Sequence, residues 1–555
     1  MKKLVSILLS VAVILTLFTA CGPTQSSEEA EVMFTGITLS DDGVLVDGTP
    51  ASTNENDAVY VSNDIVFYLE GQGAEYGEGE NNEQHSQEEA DIHTVVHITQ
   101  PGNYTITGKI SYGQIAIDLG DNAKKDPDAV VNIVLNNAEI TSTVAPAIIC
   151  YSAYECGSDD MKTATKDVNT ENAGFNITLA EDSYNIIKGS HVAKIYKPGT
   201  EDKLHKYDAA IESLVSMNIN SENGFLTVVS DNEGIETKMH MTVNGGTLDI
   251  KSADDALNAG EDGVSVITVN NGTVWADSNK GVEGDGIDSN GWLVINGGTV
   301  YSFGNSNSMD SGLDSDMGIH INGGTVLATG NMYDEISKDS TQNFAVFNFA
   351  QPIYDKSVIL KSLADNSLTL LRGTAKGSVM VYSSPHLAEG DYELYFADGY
   401  TGGGEAGVFT GVSNLVGEVQ LAHSGTTGDM MGGRPQMGGF GGQMPQNGEM
   451  PPSWNQSDRP IPDRGTPPQG VEKMPAIDFN KEKPQGDVPQ PVPTPDSNNM
   501  PINFGGEGEF DFDFSSMPDM NFGGFGGSSA NVTETVFTIA KGGNIFNSVA
   551  EYTAE

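Results

Sequence analysis

The chain is most constrained by a turn that recurs at a fixed interval. Asn244-Gly245-Gly246-Thr247, Asn270-Asn271-Gly272-Thr273, Asn296-Gly297-Gly298-Thr299 and Asn322-Gly323-Gly324-Thr325 follow one another every 26 residues. Before each turn the pairs Met241 and Val243, Ile267 and Val269, Leu293 and Ile295, Ile319 and Ile321 alternate with polar residues, and after it Leu248, Val274, Val300 and Val326 hold one shared position. Apolar residues at period two on both sides of a Gly turn read as strand, bend, strand. Such a unit is too thin to bury its own apolar face, so successive units must stack. The expected fold is therefore all-β, a parallel β-helix in which like residues of neighbouring coils lie about 4.8 Å apart. The Asn column reads as a ladder of side-chain amides.

Shorter alternating segments, from Val95–Thr99 through Phe225–Val229, extend the pattern upstream. The solenoid is expected to run over 92–343, preceded by a tether and lead-in over 21–91. A β cap over 344–423 includes alternating runs at Ser378–Tyr382 and Asp391–Phe396. Residues 424–529 are Gly, Pro, Met and Gln repeats with little to bury, so this insertion is expected to be disordered. A last β segment, 530–555, is expected to return to the folded body.

Residues 1–20 read as an address. Lys2 and Lys3 precede the apolar run Leu4–Phe18, and Phe18-Thr19-Ala20-Cys21 resembles a bacterial lipoprotein signal ending at the Cys that receives lipid. About 15 apolar residues fall short of the roughly 20 needed to span a bilayer. The expected location is the extracellular face of the cell membrane, anchored through Cys21. Outside the cytoplasm Cys150 and Cys156 are either a small disulfide or two free thiols; no zinc-type Cys/His cluster occurs.

The acidic turns carry the second pattern. Glu233-Gly234-Ile235-Glu236, Asp255-Ala256-Leu257-Asn258, Asp285-Gly286-Ile287-Asp288 and Ser311-Gly312-Leu313-Asp314 share one form, with the apolar residue inward and its neighbours outward. Asp231, Asp254, Asp310 and Asp316 flank them. Stacked carboxylates about 5 Å apart repel by ~3 kcal/mol at an effective dielectric of 20, which calls for a cation. The chain has 27 Lys and Arg against 77 Asp and Glu, 27 − 77 = −50, so its own Lys251 and Lys280 are too few. Ca²⁺, a hard cation that takes six to eight oxygens, suits the ladder, with Glu233, Glu236, Asp254, Asp255, Asn258, Asp285, Asp288, Asp310, Asp314 and Asp316 as candidate ligands. The same charge excludes nucleic acid as a partner.

With these turns, Val96–Ile140, Asp208-Ala209-Ala210-Ile211-Glu212 and Ser383-Ser384-Pro385-His386-Leu387 with Gly390-Asp391-Tyr392, residues 92 to 425 resemble the carbohydrate-binding β-helix family first known from cellulolytic clostridia. The resemblance implies a right-handed parallel β-helix like that of calcium-dependent pectate lyases. It also implies Ca²⁺ in the turns and affinity for plant-wall polysaccharide such as cellulose or pectin, without catalysis. Ser311, where the motif has an acid, and the Gly/Pro/Met insertion depart from that pattern.

Trp275 and Tyr301 fall in one outward column, Asp249, Trp275, Tyr301, Leu327, and are expected to be exposed neighbours suited to pyranose faces; cross-strand stacking is the alternative. Lys280 is a candidate contact for an anionic sugar, beside Ca²⁺ that would invert the local field. No catalytic residue is assigned. The competing reading is a calcium-dependent lyase of uronate polymers with Lys280 as base, backed by Lys238 and Lys251; a third is a structural adhesion protein. No Gly-x-Ser-x-Gly elbow or phosphate loop leads into a helix. The chain is expected to be a monomer.

Overall fold

The computed structural model describes residues 33–67, 85–196, 203–353, 356–374, 376–427 and 533–552. Cys21 and the low-complexity segment from residue 428 onward lie outside the described residues. Within them the protein is all-β, with one five-residue helix, Gln87–Asp91, capped by the Ser86 side chain on the Glu89 N–H, and one short 3-10 turn, Ala123–Lys125.

The repeat sets the strand register. Before the turns, Met217–Asn220, His240–Val243, Val266–Val269, Trp292–Ile295 and Gly318–Ile321 pair in parallel, each with the next, with Met241 opposite Ile267, Leu293 and then Ile319. After them, Tyr184–Gly189, Phe225–Ser230, Thr247–Lys251, Thr273–Asp277, Thr299–Phe303 and Thr325–Gly330 form a second parallel ladder. A third runs through Thr94–Ile98, Gly113–Asp118, Ile148–Ser152, Ala209–Ser213, Glu233–Thr237, Leu257–Ala259 and Ile287–Ser289. The apolar columns named from the alternation are all essentially sealed, and with their counterparts in the third ladder they make one continuous core. Each such side chain stabilises by about 1.5–3 kcal/mol relative to exposure.

The turns hold this register. Asn244 donates its amide to Asn220 (2.9 Å), Asn270 to Asn244 (2.9 Å), Asn296 to Asn270 (3.0 Å) and Asn322 to Asn296 (3.0 Å), which is the expected ladder with one more member at its start. The last Gly of each turn has positive φ, from 74° at Gly298 to 92° at Gly272. A Cβ at Gly298 would lie 2.7 Å from the Gly272 carbonyl oxygen, so stacking as well as conformation demands glycine.

Both ends differ from the repeat. Thr35–Leu39 pairs in parallel with Gly102–Ile110, and Val59–Ser62 pairs antiparallel with Thr94–Ile98, so part of the lead-in joins the sheets upstream of residue 92. Beyond Gly330 the pairing turns largely antiparallel: Gly377–Ser383 lies against both Thr325–Gly330 and Phe344–Ile353, and Gly390–Ala397 against Ser357–Ser362. The sheets are consequently large and mixed, one of 27 strands and one of eight among them. The final strand, Gly543–Glu551, runs parallel to Phe344–Ile353 and closes a second core around Phe347, Phe537 and Phe546. Cys150 and Cys156 are free thiols, which removes the disulfide alternative. Burial pushes the Cys156 thiol up to about 11 and the Cys150 thiol higher still, so neither is a reactive thiolate at neutral pH.

Candidate functional site: a buried acidic ladder

The third ladder places the acidic turns in register. Glu212 lies opposite Glu236, Glu236 opposite Asn258, and Asn258 opposite Asp288; the Ile287–Leu313 bridge carries the alignment on toward Asp314. One position before the inward Ile or Leu stands a small residue, Gly234, Ala256, Gly286 or Gly312, and before that the second column, Glu233, Asp255, Asp285 and Ser311. Space decides the small residue: a Cβ at Gly286 would sit 2.7 Å from the Gly312 carbonyl oxygen.

Although they flank the inward apolar residue, the acids are largely withdrawn from solvent, and Asp285, Asp288, Asp310 and Asp314 are half-buried. Glu233, Glu236, Asp255 and Asn258 are each under 10 % exposed. The closest group is Asp208, Glu233 and Glu236, one oxygen of each lying within 4.8 Å of the others. Asn258 joins it by donating its amide to Glu233 Oε2 at 2.7 Å. Its own Oδ1 is buried and accepts no hydrogen bond. A buried acceptor without a donor is costly unless a cation supplies the positive partner.

Further along, the ladder is partly satisfied by backbone. Asp255 Oδ1 accepts the Asp285 N–H (2.6 Å), Asp285 Oδ1 accepts both the N–H (2.5 Å) and hydroxyl (3.1 Å) of Ser311, and Asp310 accepts the Gly284 N–H (2.6 Å). The missing acid at Ser311 is thus replaced by two donors aimed at Asp285. Asp254 is half-buried and Asp316 exposed, both at the margin.

Crowding and burial oppose ionisation at Asp255, Asp285, Asp288 and Asp314. Burial, then the charges of Asp288, Glu233, Asp254 and Asp285, holds Asp255 well above the usual carboxylate range. Asp288 is raised by burial and then by Asp285 and Glu233. Burial with Asp310 and Asp334 outweighs the Ser311 hydrogen bonds and pushes Asp285 up to about 7; burial and a hydrogen bond with Asp334 push Asp314 up to about 11. Without positive charge, Asp255, Asp288 and Asp314 are held toward their protonated forms. Its donors are all oxygens, carboxylate and amide, which is the set that suits a hard divalent cation rather than a thiolate- or imidazole-seeking one.

Sequence reasoning missed Asp208 and Asp334. Asp208 precedes its repeat's column by one residue and follows the hairpin Val192–Tyr196/Lys203–Tyr207, upstream of where the 26-residue spacing begins. Asp334 lies past the last regular turn. The basic residues are placed as follows. Lys280 donates to the Ser230 carbonyl at 2.8 Å, and burial of its ammonium lowers its pKa against the pull of Asp231. Asp231 is instead engaged by Ser190 (2.7 Å) and His191 (3.2 Å). Lys238 pairs with Glu261 and Lys251 with Asp249.

Trp275 and Tyr301 are neighbours as expected, with ring centroids 4.3 Å apart, but they are half-buried and tilted by 56°, so they make no flat exposed platform. The cause is distant in sequence. The strand Gly407–Thr410 covers Tyr301, and the Val408 N–H donates to its hydroxyl at 3.2 Å. This corrects the expected exposure of the pair, and the observed contact is the cross-strand stacking named as the alternative.

A family described as "Carbohydrate-binding domain-containing protein" matches residues 92–348. A curated protein of that description from Acetivibrio thermocellus is 30% identical over 158 residues, 28% of this chain and 45% of the relative; the chain thus spans less than half of that relative's length. Among solved structures, a polysaccharide lyase-like protein from C. thermocellum, studied as a gadolinium derivative, is similar over 53% of this chain and 89% of that one, at 20% identity and a TM-score of 0.32.

Proposed function

We propose that this protein binds polysaccharide, cellulose or a pectin-like uronate polymer, through a right-handed parallel β-helix whose acidic turns hold Ca²⁺. On this reading it is a non-catalytic monomer displayed on the outer face of a bacterial membrane by a lipid on Cys21. The carbohydrate-binding family matched over residues 92–348 supports the ligand class. The observation that carries the metal is the buried oxygen cluster of Asp208, Glu233, Glu236 and Asn258, whose amide oxygen lacks a donor.

The residues divide the work. Asp208, Glu233 and Glu236 would supply charge, Asn258 a neutral oxygen, and Asp255, Asp285 and Asp288 a graded supply of carboxylates that give up protons when positive charge arrives. The bound ion would neutralise the ladder and turn a repulsive surface into one that accepts uronate carboxylates. Binding of pectate is expected to vanish in excess EDTA and return with Ca²⁺; retention of pectate by the chelated, still folded protein would overturn the bridging role.

A lyase reading has one observation in its favour: Lys280, with its pKa lowered by burial, sits beside the acidic turns. Its ammonium is held by the Ser230 carbonyl rather than directed at open space, which favours a structural cation. Unsaturated product absorbing in the ultraviolet after incubation with pectate and Ca²⁺ would favour the enzyme; none is expected.

A further inference from the structure

The second ladder carries a column whose membership changes along the protein. Tyr184 pairs with Phe225, Phe225 with Thr247, and the same position is then Thr273, Thr299 and Thr325. Four repeats close this register with threonine, so the ladder does not require an aromatic there. Tyr184 and Phe225 are nonetheless 55% and 36% exposed, although burial is what usually repays a large apolar ring.

The two rings stand parallel, tilted by only 5° with centroids 4.7 Å apart. They form an apolar ridge, and the half-buried Ile186, Thr227 and Val229 of the same outward face form its floor. Among the described residues no strand covers them, in contrast to Tyr301. At the turn end the fringe is polar and acidic: Asp182 and Asn223 exchange hydrogen bonds (3.1 and 2.8 Å), the Tyr184 N–H donates to Asn137 Oδ1 (3.1 Å), and Glu181 and Glu222 are exposed.

We propose that Tyr184 and Phe225 are a sugar-contacting site for neutral pyranose polymers, separate from the acidic ladder. The rings are fixed by the strand register and by each other, so little freedom is lost when a glycan settles against them. Their exposed apolar surface suits the C–H faces of pyranoses, while the carboxylates and amides at the rim accept and donate hydrogen bonds to hydroxyls. The carboxylates at the turn end repel uronates beside the rings, while the one cation of these two strands, Lys188, stands four residues from Tyr184 at the other end of its strand, so the ridge itself suits a neutral glycan such as a β-glucan. The inference rests on the polysaccharide-binding reading and refines it by ligand charge.

The test is affinity electrophoresis of the full chain in gels containing a soluble β-glucan or pectate with Ca²⁺. The double variant Y184T/F225T continues the threonine column of the later repeats and is expected to fold with an unchanged unfolding temperature. Its β-glucan affinity should fall about tenfold or more, with pectate retention unaltered and Tyr184→Phe behaving as wild type. Equal β-glucan retardation of wild type and double variant would overturn the site. Wild-type binding to pectate alone would overturn it too, leaving the acidic ladder's role intact; wild-type binding to neither polymer would overturn the polysaccharide reading itself.

Discussion

Asn258 occupies a place that an acid holds in the neighbouring repeats, opposite Glu236 on one side and Asp288 on the other. An amide there spares the cluster one negative charge while still offering an oxygen, and its NH₂ engages Glu233, which fixes that oxygen's direction. Replacing it with Leu, nearly the same volume, removes the oxygen and the hydrogen bond to Glu233. Affinity for Ca²⁺ measured by titration calorimetry should fall by about 10- to 100-fold, as for lost ligands and their supports, with the fold retained. At the same scale, Asp208 shows where sequence reading stops. The acids of the four turns were legible because one motif, recurring after 22, 30 and 26 residues, marks them, whereas Asp208 stands one residue off the column behind an inserted hairpin. Its partnership with Glu233 and Glu236 exists only once the strands are paired.

The strands and turns were the most legible part of the molecule. Alternation named the buried columns, and Asn-Gly-Gly-Thr named the turns, because the physics of both is local. Stacking then multiplies each local choice. Gly298 needs a positive φ and has the Gly272 carbonyl at its back, so Gly298→Ala should cost about 2 kcal/mol or more in denaturant unfolding. Asn270 both donates to Asn244 and accepts from Asn296, and Asn270→Ala should cost about 1–2 kcal/mol, two exposed-edge hydrogen bonds. Equal, negligible costs for both would show that the turns do not set the register. The partial burial of the aromatic pair was not legible because the cover over Tyr301 comes from Gly407–Thr410, more than a hundred residues away in sequence, and no local pattern announces it.

Across the whole molecule, charge is the dominant unresolved force, −50 on one chain with part of it sequestered. Asp285 titrates near 7 in the folded protein, above the ordinary carboxylate value of about 3.9 when unfolded. The folded state therefore binds more protons between those values, and its stability contribution is present below about pH 4 and lost as pH rises through 7. Asp255 and Asp288, raised in the same direction, extend the loss in the same sense. Metal-free protein should accordingly melt at a lower temperature at pH 8 than at pH 5, and saturating Ca²⁺ should remove most of that difference. A melting temperature independent of pH and of Ca²⁺ would mean that the ladder does not behave as a strained, cation-seeking cluster. The N-terminal strands that join the sheets before residue 92 and the C-terminal strand that returns after residue 533 both escaped the repeat's logic. They lie at its ends, where alternation is broken and parallel and antiparallel pairing mix.

The most direct test is calorimetric titration of the chelator-treated protein with Ca²⁺ near pH 7, in two buffers of different ionisation enthalpy, for wild type and for E233Q/E236Q. The account predicts saturable binding to the wild type, accompanied by proton release from the ladder, and its loss in the variant. Wild-type protein that takes up no Ca²⁺ and releases no protons would contradict it.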